Sequence, residues 1–258
     1  MSALLASLHA RNVVLYQLGW VCIAGVLICA VLVLTTQTQV MGVNAYIKPL
    51  KFLASTSILC WTMAWYMAAL PQKGSIQAYS WMVVIVFAIE LGIIIWQATR
   101  GKLSHFNAST PTDGLLFGVM GIAITVFTVW TAYIGYLFFR LDTTALSPAY
   151  LWGIRLGITL FVLFAFQGFM MVSRLSHTVG APDGGPGLPV LNWSVRYGDL
   201  RVAHFFGMHA LQLIPLFSYY IARQPRQVIF VAAIYFIVVT GLLMQALAGK
   251  PLLATLSH

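Results

Sequence analysis

Apolar residues run through this chain in seven long stretches, approximately residues 13–35, 50–70, 79–99, 114–139, 150–172, 200–222 and 227–248, separated by short polar breaks. Each is near or above the ~20 residues that carry an α-helix across a bilayer core. A membrane β-barrel needs ~10-residue segments of alternating polarity, and these runs are continuous. The pattern predicts an all-α membrane protein with seven transmembrane helices in a single bundle. One domain is expected over residues 1–258, with the termini on opposite sides of the membrane. The first run follows His9 and Arg11 and lacks a small-residue cleavage site behind it, so it is read as a retained span.

Composition agrees with this reading. Hydrophobic residues make up 60% of the chain and charged residues 7%, whereas a water-soluble domain carries about 25% charged residues. The partner this demands is the lipid bilayer. A net charge of +9 arises from 14 Lys and Arg against 5 acids, with most bases in short loops or at span ends. That placement suits anionic headgroups and argues against nucleic acid. Cys22, Cys29 and Cys60 lie within apolar runs without metal-ligand spacing, so free thiols are expected.

Seven spans assign the breaks alternately to side A, with the N-terminus, and side B, with the C-terminus. Side B receives eight bases (Lys48, Lys51, Arg100, Lys102, Arg174, Arg196, Arg201 and Lys250) against five on side A (Arg11, Lys73, Arg140, Arg223 and Arg226). The positive-inside rule then makes side B, and the C-terminus, cytoplasmic. Side B also holds the one long connection, residues 173–199, whose APDGGPGLP forbids a regular helix and predicts an ordered cap.

The candidate chemistry gathers on the same side. In GDLRVAHFFGMHALQ, helical spacing puts Arg201, His204, Met208 and Gln212 on one stripe with His209 at its edge. Polar groups within a span face other helices or a wet cavity. Lys48, Lys51, Ser55, Thr62 and Tyr66 make a similar line in the second run, and Glu90, Gln97 and Arg100 share one arc of the third. Glu90 is the only glutamate and lies ten residues before Arg100, ~15 Å deeper. There a carboxyl needs a base such as Lys51 or Arg155, or a proton. His105 and His177 follow spans on side B, and Asp113, Asp183 and Asp199 join them.

Lys51, Glu90, Gln97, Arg100, His204, His209 and Gln212 are expected to line one cavity opening to side B, capped by residues 173–199 and approached by His105 and His177. Its reactive groups would be His204, His209, Asp199 and Glu90, with Lys51, Gln97, Arg100, Arg201 and Gln212 holding a hydrophobic or anionic small molecule. A metal ion such as zinc would draw on His105, His177 and His204. Haem is strained because only the sixth run carries histidine, and a retinal pigment is disfavoured because the last run has no lysine for a Schiff base. Lys48, Lys102, Arg174 and Arg196 are expected to be headgroup anchors. DGGPGLP lacks the Lys-Ser/Thr ending of a phosphate loop.

The strings IKPLKF, QATRGKLSHFN and HTVGAPDGGPGLPVLNWSVRYGDLRVAHFFGMHALQ resemble a family of bacterial multi-pass integral membrane proteins to which no activity is attached. The resemblance implies a bacterial inner-membrane location and leaves mechanism open. Three functional classes fit the residues: a membrane-embedded, metal-dependent or metal-free enzyme acting on a lipid or membrane-soluble substrate; a proton-coupled transporter using Glu90 and His209; and a ligand-sensing or assembly subunit.

Overall fold

The computed structural model describes residues 3–142 and 145–253. Among them the chain is mainly helical, with almost no sheet. The helices are α1 (Ala3–Arg11), α2 (Val13–Thr35), α3 (Ile47–Met67), α4 (Lys73–Thr99), α5 (Pro111–Arg140), α6 (Pro148–Phe166), α7 (Phe169–Arg174), α8 (Leu200–Tyr220) and α9 (Pro225–Leu247). Two short antiparallel ribbons complete it: β1 (Gln39–Val40) with β2 (Val43–Asn44), and β3 (Thr178–Val179) with β4 (Gly198–Asp199). Local chemistry sets the helix starts. Asn12 accepts the Leu15 amide ahead of α2, Ser147 accepts the Tyr150 amide ahead of α6, and Pro148 and Pro225 open α6 and α9 where a missing N–H costs nothing.

Five segments are long and apolar enough to cross a bilayer: α2, α4, α5, α9 and the stretch Pro148–Arg174 that joins α6 to α7. The chain is therefore an all-α integral membrane protein. By length and composition the structure supports five spans and not the expected seven. The two that fall short are α3 and α8, each 21 residues long. Their polar ladders are the reason: Lys48, Lys51 and a series of Ser and Thr in α3, and Arg201, His204, His209 and Gln212 in α8.

The chain divides into two compact units, Met1–Trp130 and Thr131–His258, with the boundary inside α5. In the first, α3 packs against α2 and α4. The Trp61 indole lies where a side chain at Gly19 would stand, and its Nε1 donates to the Tyr16 carbonyl at 3.3 Å. Phe127 of α5 packs on Tyr79 and Phe87 of α4.

In the second unit α8 lies along α6, and α9 covers both through Leu160, Phe164, Ala210, Ile214, Ala232 and Val239. Glycines set the approach of α6 to α8. A side chain at Gly153 would strike Ser218, one at Gly207 would strike the Phe164 ring, and one at Gly157 would stand 3.0 Å from the Ala210 carbonyl oxygen. Small residues at such crossings let backbones close where no hydrophobic force separates helix from lipid. Arg155 of α6 ties down the end of α5, its Nε donating to the Phe138 carbonyl at 3.0 Å and Nη2 to the Leu141 carbonyl at 3.1 Å. It stands over Phe139 and Trp152. Arg155 thus caps the end of α5.

Gly153→Leu should lower stability by about 1–3 kcal/mol through overpacking of this seam. Gly92→Ala, at a glycine facing open space, should leave stability unchanged or slightly raised; reversible unfolding in mixed SDS micelles measures both.

Candidate functional site

The stretch from α6 to α7 is not one smooth helix. At Gln167 and Gly168 the backbone tightens: the Gly168 amide donates to the Ala165 carbonyl at 3.0 Å, a three-residue reach in place of the usual four. The Phe164 carbonyl, which a regular helix would pair with Gly168, receives His204 Nδ1 of α8 at 2.8 Å. A carbonyl only accepts, so Nδ1 carries the proton and Nε2 keeps its lone pair. Gly168 makes room for the ring, since a side chain there would stand 3.1 Å from His204 Cε1. Beside it, Gln167 is 7% exposed, and neither its amide nitrogen nor its oxygen has a partner among the described residues. Burying an unpaired amide costs about 1–3 kcal/mol.

His209 repeats the tautomer one turn further on. Its Nδ1 donates to the Phe205 carbonyl at 2.9 Å and its ring stacks on Phe205 with centroids 4.1 Å apart. Nε2 is again the lone-pair nitrogen. Gln212 is half-buried further along α8.

Two residues expected in the site are occupied elsewhere. Asp199 caps α8, accepting the Arg201 amide at 3.0 Å, and its carboxylate takes Arg201 Nε at 2.9 Å, Nη2 at 2.6 Å and the Ser194 amide at 2.9 Å. Arg201 also donates to the Asn192 carbonyl. The pair therefore closes residues 173–199 onto α8. The same segment is held at its start by Asp183, which accepts Ser176 Oγ at 2.8 Å and the Thr178 amide at 2.9 Å and lies 3.0 Å from His177 Nδ1. Gly198 permits β4 to lie against the Ala246 carbonyl of α9, where a side chain would not fit.

The first unit holds Lys51, Glu90, Gln97 and Arg100; the second holds His204, His209 and Gln212. Glu90 is buried on α4, within the field of Lys48. Gln97 and Arg100 turn to a residue that sequence reasoning left without a role, Asp113 in the first turn of α5. One oxygen of its fully buried carboxylate takes Gln97 Nε2 at 2.8 Å and Arg100 Nη1 at 3.4 Å; the other takes Lys102 Nζ at 3.1 Å, Ser109 Oγ at 3.2 Å and Thr110 Oγ1 at 2.8 Å. Lys102, expected to be a headgroup anchor, belongs to this hub. The signal was present in Thr110-Pro111-Thr112-Asp113, the spacing of a capping box, and the Asp113 amide does donate to Thr110 Oγ1 at 3.1 Å. His105 lies among Phe52, Phe106 and Phe117 with centroids 5.7–6.2 Å away.

Among the described residues no group of three or more His, Cys, Asp or Glu side chains is arranged to hold a metal ion. The expected set of His105, His177 and His204 is not such a group. His177 is turned to Asp183, His204 to the Phe164 carbonyl, and Asp199, the carboxylate named beside them, to Arg201.

Asp183 gives the cap an acid-sensitive pin. Burial raises its carboxyl above the ordinary 3.8, but bonds from His177, Thr178 and Ser176 outweigh that and hold it well below the usual carboxylate range. A depressed value stabilises the folded loop above 3.8 and is lost as pH falls through the folded value. Protection of the His177 and Thr178 amides, which donate to this carboxylate, measured against the free-chain exchange rate at each pH, should therefore fall on acidification below 3.8. In Asp183→Asn it should be low already at neutral pH.

No protein-family model, curated protein or solved structure matches the chain.

Proposed function

We propose that this is a seven-span protein of the bacterial inner membrane, C-terminus cytoplasmic, and a membrane-embedded enzyme that uses His204 and His209 on a lipid or other membrane-soluble substrate. The observation that carries the reading is the shared tautomer of the two imidazoles. Each commits Nδ1–H to a backbone carbonyl and presents Nε2 as a base in a fixed orientation, which is what proton transfer to or from a bound substrate requires. The unpartnered Gln167 amide beside the His204 seat offers a donor and an acceptor for orienting that substrate.

Seven spans follow if α3 and α8 also cross. At 21 residues each reaches ~30 Å, the thickness of the hydrocarbon core. Each also packs between apolar helices that can shield its polar ladder from lipid. Eight bases on side B against five on side A support the orientation.

A transport reading has one observation in its favour, the interrupted helix at Gln167–Gly168 within a candidate span. Pro215 adds nothing to it, since α8 continues through that residue.

The purified chain, reconstituted in liposomes of total bacterial lipid, should consume one lipid or membrane-soluble species followed by mass spectrometry. His204→Gln and His209→Gln should each slow this by about 10²–10⁴-fold, the range for a lost acid–base group. Unchanged lipids together with solute uptake driven by a pH gradient would establish transport instead.

A further inference from the structure

We infer that Arg100 and Lys102, held by the buried Asp113, form a binding site for a phosphate ester, the headgroup of an anionic phospholipid. Arg100 follows α4 and Asp113 stands in the first turn of α5, both candidate spans, so the loop between them lies at a membrane interface. Two cations share one carboxylate, which leaves a positive charge over. Asp113 is completely covered, whereas the Arg100 and Lys102 side chains are 32% and 36% exposed. The anion is buried and the cations look outward.

Position matters as much as charge. Arg100 lies over the Trp96 ring at 4.5 Å, and its Nη1 is fixed by Gln97 Oε1 at 3.1 Å and by Asp113. That leaves the Nε and Nη2 edge of the guanidinium for an oxyanion, and Lys102 spends one of its three donors on Asp113. The site belongs to the first unit and does not depend on the histidine chemistry.

A built site and diffuse headgroup attraction give opposite results at Asp113. The full chain in neutral detergent is titrated with phosphatidylglycerol, phosphatidylcholine or inorganic phosphate. Bound lipid is counted by native mass spectrometry, and the melting temperature is read in parallel. Phosphatidylglycerol should bind and phosphatidylcholine should not. Arg100→Lys, which keeps the charge and loses the fork, should bind about tenfold more weakly. Asp113→Asn should also weaken binding about tenfold although it makes the surface more positive, because it releases both cations. A thermal shift from phosphate alone that equals the lipid's would identify free phosphate as the occupant of the same site. Tighter binding by Asp113→Asn, unchanged binding by Arg100→Lys, or equal binding of phosphatidylcholine overturns the proposal.

Discussion

Within a bilayer there is no water to satisfy a backbone carbonyl, and the second unit depends on how that constraint is met at Phe164. Tightening at Gly168 takes away the usual intrahelical donor, and His204 supplies another from the neighbouring helix. For the imidazole to reach, α6 and α8 must lie nearly in backbone contact, which Gly153, Gly157, Gly168 and Gly207 allow. The seam, the joint and the tautomer of His204 are therefore one arrangement. A side chain at any of these glycines would disturb the orientation of Nε2 along with the packing.

The acidic residues show a second regularity. Asp113, Asp183 and Asp199 each sit where a loop meets a helix or ribbon, and each gathers several donors from that junction. A chain with so few acids has used these three to lock connections. Asp199, whose carboxylate accepts two backbone amides and an arginine together, fixes its loop more firmly than an exposed ion pair, which contributes less than about 1 kcal/mol.

Much of the fold was legible because run length and helical period are strong signals in a chain this apolar. The seven long helices lie where the runs lie, and the polar ladders that mark α3 and α8 as unusual are the same features that keep them below the composition expected of a span. The site was less legible. Stripe geometry placed Arg201 beside His204 correctly along the helix, but it ignored that Asp199, at the cap, is near enough to capture the guanidinium first. Nothing in LFVLFAFQGFMM announces that the helix tightens at Gln167, because the dihedrals there stay close to helical and only the hydrogen-bond partner changes. Asp113 was readable from its capping spacing, yet its burial and its two cations are facts of tertiary structure.

Arg155 bears on how the chain enters the membrane. The Phe138 carbonyl near the end of α5 and the Leu141 carbonyl just beyond it receive donors from a side chain that is made later, on the following helix. The Phe138 carbonyl also accepts the Leu141 amide, so until α6 arrives it is the Leu141 carbonyl that must turn to interfacial water. The two helices are thus matched to insertion as a hairpin during synthesis, with the arginine carried in beneath its own acceptors.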